Sequence, residues 1–245
     1  MTTNISVGAV LSRAFEIYGK RLGLLIGMAA IVYIPAVILR TILNSEAGLI
    51  GALIATVIQF VAAALYTGSV VRVVQAEDSG SEPGSIGEIF SSIQDRIWPL
   101  IWVGVIAGIA ILFGFILFII PGLILVTIWA VFQPVIVVEK VSFASLGRSR
   151  ELVKGNGWNV FGVIVCVFAI LFAISILAGL IGGLFGGFVG VAIVEVILSV
   201  LLVPIAGIVT TVLYFLLVAA SAGSGSVAAP PAPPAPPAPP AAPAV

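Results

Sequence analysis

The sequence predicts an all-α fold, a polytopic transmembrane helical bundle of about six spans with short interfacial amphipathic helices. The chain has 245 residues, of which 61% are hydrophobic and only 8% are charged, whereas soluble domains carry about 25% charged residues. Uncharged runs of about 20 residues, the length that a helix needs to cross the hydrocarbon, recur along the chain. Amphipathic stretches at helical spacing precede three of these runs. Most of the apolar surface is therefore expected to face lipid or other membrane helices.

The composition also argues against several functional classes. The net charge is zero and basic residues are few, which does not suit a nucleic-acid-binding surface. Histidine is absent and Cys166 is the single cysteine, so we expect no intrachain disulfide, no metal site and no cofactor. Residues of mixed polarity precede the first apolar run, so we expect no cleaved signal peptide.

The N-terminal region, residues 1–21, is predicted to be an interfacial amphipathic helix. Its apolar residues share one face; they are Val7, Val10, Leu11, Ala14 and Tyr18. Asn4 is the expected cap of this helix. Lys20 and Arg21 then separate it from the first apolar run.

Residues 22–220 are predicted to form the membrane domain. Its six spans are expected near 22–40, 49–71, 97–119, 121–138, 158–181 and 190–218. Pro121 and Gly122 interrupt one long uncharged run, so they are the predicted junction between the third and fourth spans. The last apolar run is broken by glycines between Gly179 and Gly190. Two spans joined near that cluster are the simplest interpretation, although three short spans also fit its length.

Two further amphipathic helices are predicted between the spans. Ser85 and Glu88 form a capping box ahead of an apolar stripe, and Ser142 and Gly155 have the spacing of a cap and a terminator. Each amphipathic helix leads into two spans, which predicts three helix-plus-hairpin units. Duplication and convergence both remain open as the origin of this pattern.

Charge predicts the orientation of the chain in a cell membrane. Nine of the ten basic residues fall on one side of the six spans; these are Arg13, Lys20, Arg21, Arg72, Arg96, Lys140, Arg148, Arg150 and Lys154, and only Arg40 falls on the other. Both termini are therefore expected to be cytoplasmic. Residues 221–245 are predicted to be a flexible Ala/Pro-rich tail, either disordered or a ligand for a protein partner.

Polar residues within or beside the spans are the candidate site residues. Gln59, Gln133 and Glu195 lie in apolar runs, where they would bond a neighbouring helix or line a pathway; Glu195 would otherwise lie at the outer interface. A second candidate is a lipid head-group contact, which we assign to Arg148, Ser149, Arg150 and Lys154. Topological anchoring is the competing interpretation of that basic cluster.

The basic linker also carries a resemblance to a known family. The residues are Pro121 and Gly122, the run PVIVVEK at 134–140 and the run RSRELVKGNGW at 148–158. They resemble the bacterial membrane domain of the glycerophosphoryl diester phosphodiesterase membrane-domain family. The resemblance implies a multi-helix membrane domain but not the phosphodiesterase reaction, which belongs to a separate catalytic domain. After Tyr214 the sequence departs from the family pattern, because an apolar run replaces an aromatic, an acidic and a basic residue.

The functional expectation follows from these patterns. No motif of a general base, nucleophile, phosphate-binding loop or metal site is present, so we expect a non-catalytic integral membrane protein. A scaffold or accessory factor in membrane, envelope or lipid metabolism is the first hypothesis, and a small-solute transporter or channel is the alternative. The expected partners are membrane lipids and a protein bound through the tail or the helix bundle.

Overall fold

A computed structural model of the chain describes residues 6–46, 48–184 and 187–223, and it confirms the predicted all-α bundle. The elements are α1 (Val7–Lys20), α2 (Leu22–Glu46), α3 (Gly48–Asp78), α4 (Ile86–Ser92), α5 (Gln94–Leu117), α6 (Ile119–Ile128), α7 (Phe132–Val138), α8 (Ala144–Val153), α9 (Gly157–Leu184) and α10 (Gly187–Gly223). Six segments of 19 to 29 residues are long and apolar enough to cross a membrane: Leu22–Arg40, Ile50–Asp78, Gln94–Leu117, Ile119–Val138, Gly157–Ile176 and Val200–Ala222. The chain is thus a multi-pass membrane protein.

The order of these elements repeats one arrangement three times. The short helix α1 precedes α2 and α3, α4 precedes α5 and the α6–α7 pair, and α8 precedes α9 and α10. In the last apolar run the structure describes α9 up to Leu184 and α10 from Gly187 onward; residues 185–186 lie outside the described residues. Residues 221–223 continue α10, and the remainder of the predicted tail also lies outside the described part of the chain.

The observed helix starts correct two predicted caps. Ser6, not Asn4, caps α1, because its hydroxyl accepts a hydrogen bond from the Ala9 N–H at 3.2 Å; Asn4 is not among the described residues. Helix α8 begins at Ala144, and Ser142 contributes only its backbone carbonyl, which accepts from the Ser145 N–H. The position of a side-chain cap thus depends on a shift of one or two residues, which spacing alone does not fix.

Two other predicted ends are confirmed. The Ser85 N–H donates to the Glu88 carboxylate at 2.7 Å, and the Glu88 N–H donates to the Ser85 hydroxyl at 3.4 Å. This reciprocal pair is the predicted capping box of α4. Gly155 follows α8 with φ of +90°, a backbone conformation that glycine adopts without steric cost.

The predicted junction at Pro121 and Gly122 is wrong by three residues. The chain reverses at the extended residue Phe118, and Pro121 and Gly122 lie in the first turn of α6. Proline fits there because the first N–H groups of a helix have no intrahelical acceptor. Gly122 instead allows α6 to approach α5, since a Cβ on it would lie 2.5 Å from the Phe115 ring.

The main core lies where α1, α2, α3 and α10 meet. Val10, Ala14 and Ile17 of α1 are buried against it, so α1 packs onto the bundle through an apolar stripe close to the predicted one. The outer surface is strongly apolar; Ile116, for example, is 68% exposed. In a membrane protein such a surface is solvated by lipid chains.

Polar contacts gather α1, α4 and α8 at one end of the bundle. Arg13 and Arg21 join α1 and the start of α2 to the end of α3 and the following loop. Arg72 donates to the Ser92 carbonyl at the end of α4, and Arg96 donates to the Lys140 carbonyl after α7. We call this region the charged end. Arg40 lies on α2 more than halfway along the helix from the charged end.

Candidate functional site

A buried carboxylate at the charged end joins three helices. Glu139 caps the C-terminus of α7, and both of its carboxylate oxygens lie 3.1 Å from the Arg148 Nε on α8. The Tyr214 hydroxyl on α10 donates to the same carboxylate at 3.1 Å. The side chains of Glu139 and Arg148 are only 10% and 15% exposed. An ion pair that is shielded from water and has several hydrogen bonds interacts more strongly than an ion pair on the surface. We call Glu139, Arg148 and Tyr214 the polar clamp.

Next to the polar clamp, the fourth span is discontinuous. Helix α6 ends at Ile128 and α7 begins at Phe132. Ser149 of α8 enters this gap: its hydroxyl donates to the Ile128 carbonyl at 2.9 Å and accepts from the Val131 N–H at 3.3 Å. One buried side chain thus satisfies two main-chain groups that the broken helix leaves open.

The break has an identifiable cause in the sequence. Pro134 has no N–H to donate to the carbonyl four residues earlier, which is that of Ala130, and its ring crowds the same carbonyl. The continuous helix would therefore be interrupted at this position, and the chain restarts a helix with proline in its first turn. Broken spans are tolerated where other elements re-satisfy the backbone, as Ser149 does here.

A second polar network fixes α1. Arg13 pairs with Asp78 at 3.1 Å, and Arg21 pairs with Glu77 at 2.8 Å. The hydrogen bond to Asp78 raises the pKa of the Arg13 guanidinium. A hydrogen bond from Lys20 lowers the pKa of Glu16 below its usual value. These ion pairs cover the polar face of α1 while its apolar face is buried in the core.

The opposite side of α1 is bonded to α10. The Tyr18 hydroxyl donates to the Leu201 carbonyl at 2.9 Å, three residues before Pro204. Partial burial raises the pKa of the Tyr18 phenol, whose ordinary value of about 10 already keeps the hydroxyl protonated at physiological pH.

The structure separates the predicted polar residues of the spans. Gln59 lies beside Arg40 and Thr56 in a small cavity of about 270 Å³, whereas Gln133 lies on α7. Val71 on α3 and Val137 on α7 belong to one buried cluster and serve as a common reference for depth. Gln59 lies about 12 residues from Val71 along its helix, whereas Gln133 lies about four residues from Val137. At 1.5 Å per residue the two amides differ in depth by about 12 Å.

Glu195, the third predicted polar residue, lies on α10, but its side chain is not among those described. The choice between an intramembrane and an interfacial position for Glu195 therefore stays a prediction.

The predicted lipid contact divides into two pairs of residues. Arg148 belongs to the polar clamp and Ser149 is buried in the fourth span, so neither faces outward as an exposed phosphate ligand would. Arg150 and Lys154 are exposed. In the described part of the chain, neither of these two cations has a carboxylate within 4.0 Å.

A cleft opens beside this exposed pair. It has a volume of about 550 Å³ and lies between α6 and α9, with Ile124 and Thr127 on one side and Phe161 on the other. Its mouth is formed by Gly157 and Trp158, just after Lys154. The Thr127 hydroxyl donates to the carbonyl four residues earlier on its own helix, so the cleft presents an almost wholly apolar surface.

No protein-family model, curated protein or solved structure matches this chain. The function must therefore be argued from the polar clamp, the broken span and the cleft themselves.

Sequence reasoning missed two members of the polar clamp. Neither Glu139 nor Tyr214 was predicted to be a site residue. A phenol at the end of an apolar helix is a usable signal, because a buried tyrosine hydroxyl normally finds an acceptor. The partner could not be named, since 75 residues separate Tyr214 from Glu139.

Proposed function

We propose that this chain is a non-catalytic membrane module that holds a platform of short helices at the cytoplasmic face of the bacterial cell membrane. It would act as a scaffold or accessory factor in envelope or lipid metabolism. The observation that carries the proposal is the attachment of α1, α4 and α8 to the bundle by polar contacts at one end. At α8 a shielded ion pair with several hydrogen bonds holds the helix in one geometry, whereas α1 and α4 are held by more exposed contacts. A fixed geometry is what a docking platform requires.

The orientation follows from the charges at that end. Nine of the ten basic residues belong to the connections, short helices and helix ends of the charged end, and the cost of moving such residues across a membrane keeps them inside. The resemblance to the membrane domains fused to glycerophosphoryl diester phosphodiesterases supports the same assignment. In that family the membrane domain accompanies an enzyme without performing its reaction.

The geometry favours this proposal over a transporter or channel. A conduit needs polar groups that line one path at successive depths, whereas Gln133 does not line the cavity beside Gln59. Two cavities among the described residues, of about 690 and 550 Å³, are lined mainly by apolar side chains.

Complementation of a host strain that lacks the protein separates the two functions. The triple variant Gln59→Ala, Gln133→Ala and Glu195→Ala should restore growth and envelope integrity, because it leaves the polar clamp intact. The variant Arg148→Gln should restore neither, although immunoblotting finds it in the membrane. The opposite result, together with solute flux through vesicles that contain the wild-type protein, would establish the transporter.

The cytoplasmic position of the platform has its own test. Gly147 is exposed on α8, and a Cβ added there would have no neighbouring atom within 4 Å. Gly147→Cys in a Cys166→Ala background therefore gives a single accessible thiol. A membrane-impermeant maleimide should label it only after the cells are opened. Labelling in intact cells would reverse the orientation.

A further inference from the structure

We propose that the cleft between α6 and α9 is a binding site for an anionic phospholipid, with an acyl chain in the cleft and the phosphate at Lys154 and Arg150. The inference goes beyond the platform function and does not rest on it. Three features of the cleft carry it: its apolar walls, the cations at its mouth and its interfacial tryptophan.

The walls indicate an acyl chain as the occupant. Ile120 and Ile124 on α6 are 69% and 53% exposed, and Trp158 on α9 is 86% exposed. Both helices belong to segments that can cross a membrane, so the cleft opens into lipid. Its volume of about 550 Å³ lies within the range of small-molecule sites. The hydrocarbon core of a bilayer holds no water, and lipid chains are the apolar groups that it supplies.

The mouth indicates that the lipid is anionic. Lys154 immediately precedes the cleft-lining Gly155, and Arg150 lies one turn earlier on α8. Glu151 is the nearest acidic residue in sequence, and it pairs with Arg148. Arg148 is further neutralised by Glu139. Lys154, the residue that follows α8, and Arg150 are therefore the two described cations of this segment that remain available, and such cations attract anionic head groups.

The position of Trp158 indicates that the mouth of the cleft lies at the boundary between the hydrocarbon and the lipid head groups. An indole beside the first turn of a spanning helix is typical of the boundary between hydrocarbon and head groups. The same residue lines the cleft. A lipid chain in the cleft would thus contact Trp158 while its phosphate lies near Lys154.

Quenching of Trp158 by brominated acyl chains tests the proposal directly. The variant Trp98→Phe, Trp102→Phe, Trp129→Phe retains Trp158 alone; it is reconstituted in vesicles with dibrominated phosphatidylglycerol or dibrominated phosphatidylcholine. We expect the relative association constant to favour the anionic lipid by roughly fivefold or more, the effect of one or two cations near a head group. A second reporter that retains Trp102 alone, on the lipid-facing side of α5, should show a ratio near one.

Matched variants locate the effect. In the Trp158 reporter, Lys154→Gln should lower the preference roughly fivefold, whereas Lys140→Gln, which removes an exposed cation from the same end, should leave it unchanged. Gly157→Leu should fill the cleft and weaken quenching by both lipids, whereas Gly104→Leu should not; neither glycine has atoms within 4 Å of an added Cβ. Equal association constants at Trp158, or equal effects of Lys154→Gln and Lys140→Gln, would overturn the proposal.

Discussion

Removal of Arg148 is the sharpest test of the polar clamp. In Arg148→Gln, Glu139 loses the guanidinium nitrogen that lies 3.1 Å from both of its oxygens, and among the described residues it retains only the Tyr214 hydroxyl. A carboxylate that is 90% shielded is then left without a positive partner. Breaking a buried pair in this way costs about 3–5 kcal/mol. Because the clamp is at the edge of the bundle, we expect a loss of about 3 kcal/mol of unfolding free energy.

The reciprocal change should cost less. Glu139→Gln leaves Arg148 near Glu151, at 3.7 Å, and this carboxylate is 66% exposed, so the remaining charge is partly compensated. We expect about 2 kcal/mol, most of it from lost charge-assisted hydrogen bonds. The double variant should cost about 3 kcal/mol, which is less than the two single costs together, because neither charge is then left alone.

The measurement is equilibrium unfolding in mixed micelles with increasing dodecyl sulfate. Cys166 is the single cysteine and is half-buried on α9, so its reaction with a fluorogenic maleimide reports unfolding without further labelling. Lys140→Gln is the matched control, since it removes an exposed charge beside Glu139; it should change stability by less than about 0.5 kcal/mol. The reasoning fails if Arg148→Gln behaves like this control, or if the two single costs simply add.

The other predictions concern α8, the α5–α6 hairpin and α4. Ser149→Ala should lower the free energy of unfolding by about 2 kcal/mol, because it leaves two main-chain groups without a partner. Ser145→Ala, one turn earlier, should be neutral or stabilising, since that buried hydroxyl has no partner among the described atoms. The same unfolding assay compares the two variants, and equal effects would contradict this explanation. Gly122→Ala should cost about 1–3 kcal/mol by overpacking against an aromatic ring of α5, whereas Gly104→Ala should cost nothing; thermal unfolding that ranks them oppositely would refute it. The Ser85 N–H lowers the pKa of Glu88, so Glu88 stabilises α4 above its unfolded pKa near 4.5 and loses that contribution as the pH falls through its folded value; amide exchange of residues 85–92, corrected for intrinsic rates, should rise on acidification in the wild type but not in Glu88→Gln.

Much of the fold could be predicted because its signals are local. The composition and the lengths of the apolar runs predicted six spans, and the capping box at Ser85 and Glu88 identified α4. The junctions between the spans were harder to predict from the sequence. Pro121 was interpreted as a junction and Pro134 as part of a span, yet each lies in the first turn of a helix, a few residues after the true interruption. A proline therefore marks the restart of a helix more closely than its end.

The candidate site could be predicted only in part, because its contacts are distant in sequence. Spacing grouped Arg148, Ser149, Arg150 and Lys154 on one short helix, and the structure directs the first two inward and the last two outward. Nothing local distinguishes them, since their roles depend on Glu139 and on the broken fourth span. A lipid contact at the exposed pair stays a prediction, which the quenching experiment tests.

The gap between α6 and α7 has a consequence for biosynthesis. Val131 finds its acceptor, the Ser149 hydroxyl, 18 residues further along the chain. A ribosome reaches Val131 first, so the nascent fourth span carries unmet main-chain groups until the following turn has been made and has folded back. Its entry into the bilayer is thus coupled to translation of the segment that comes after it.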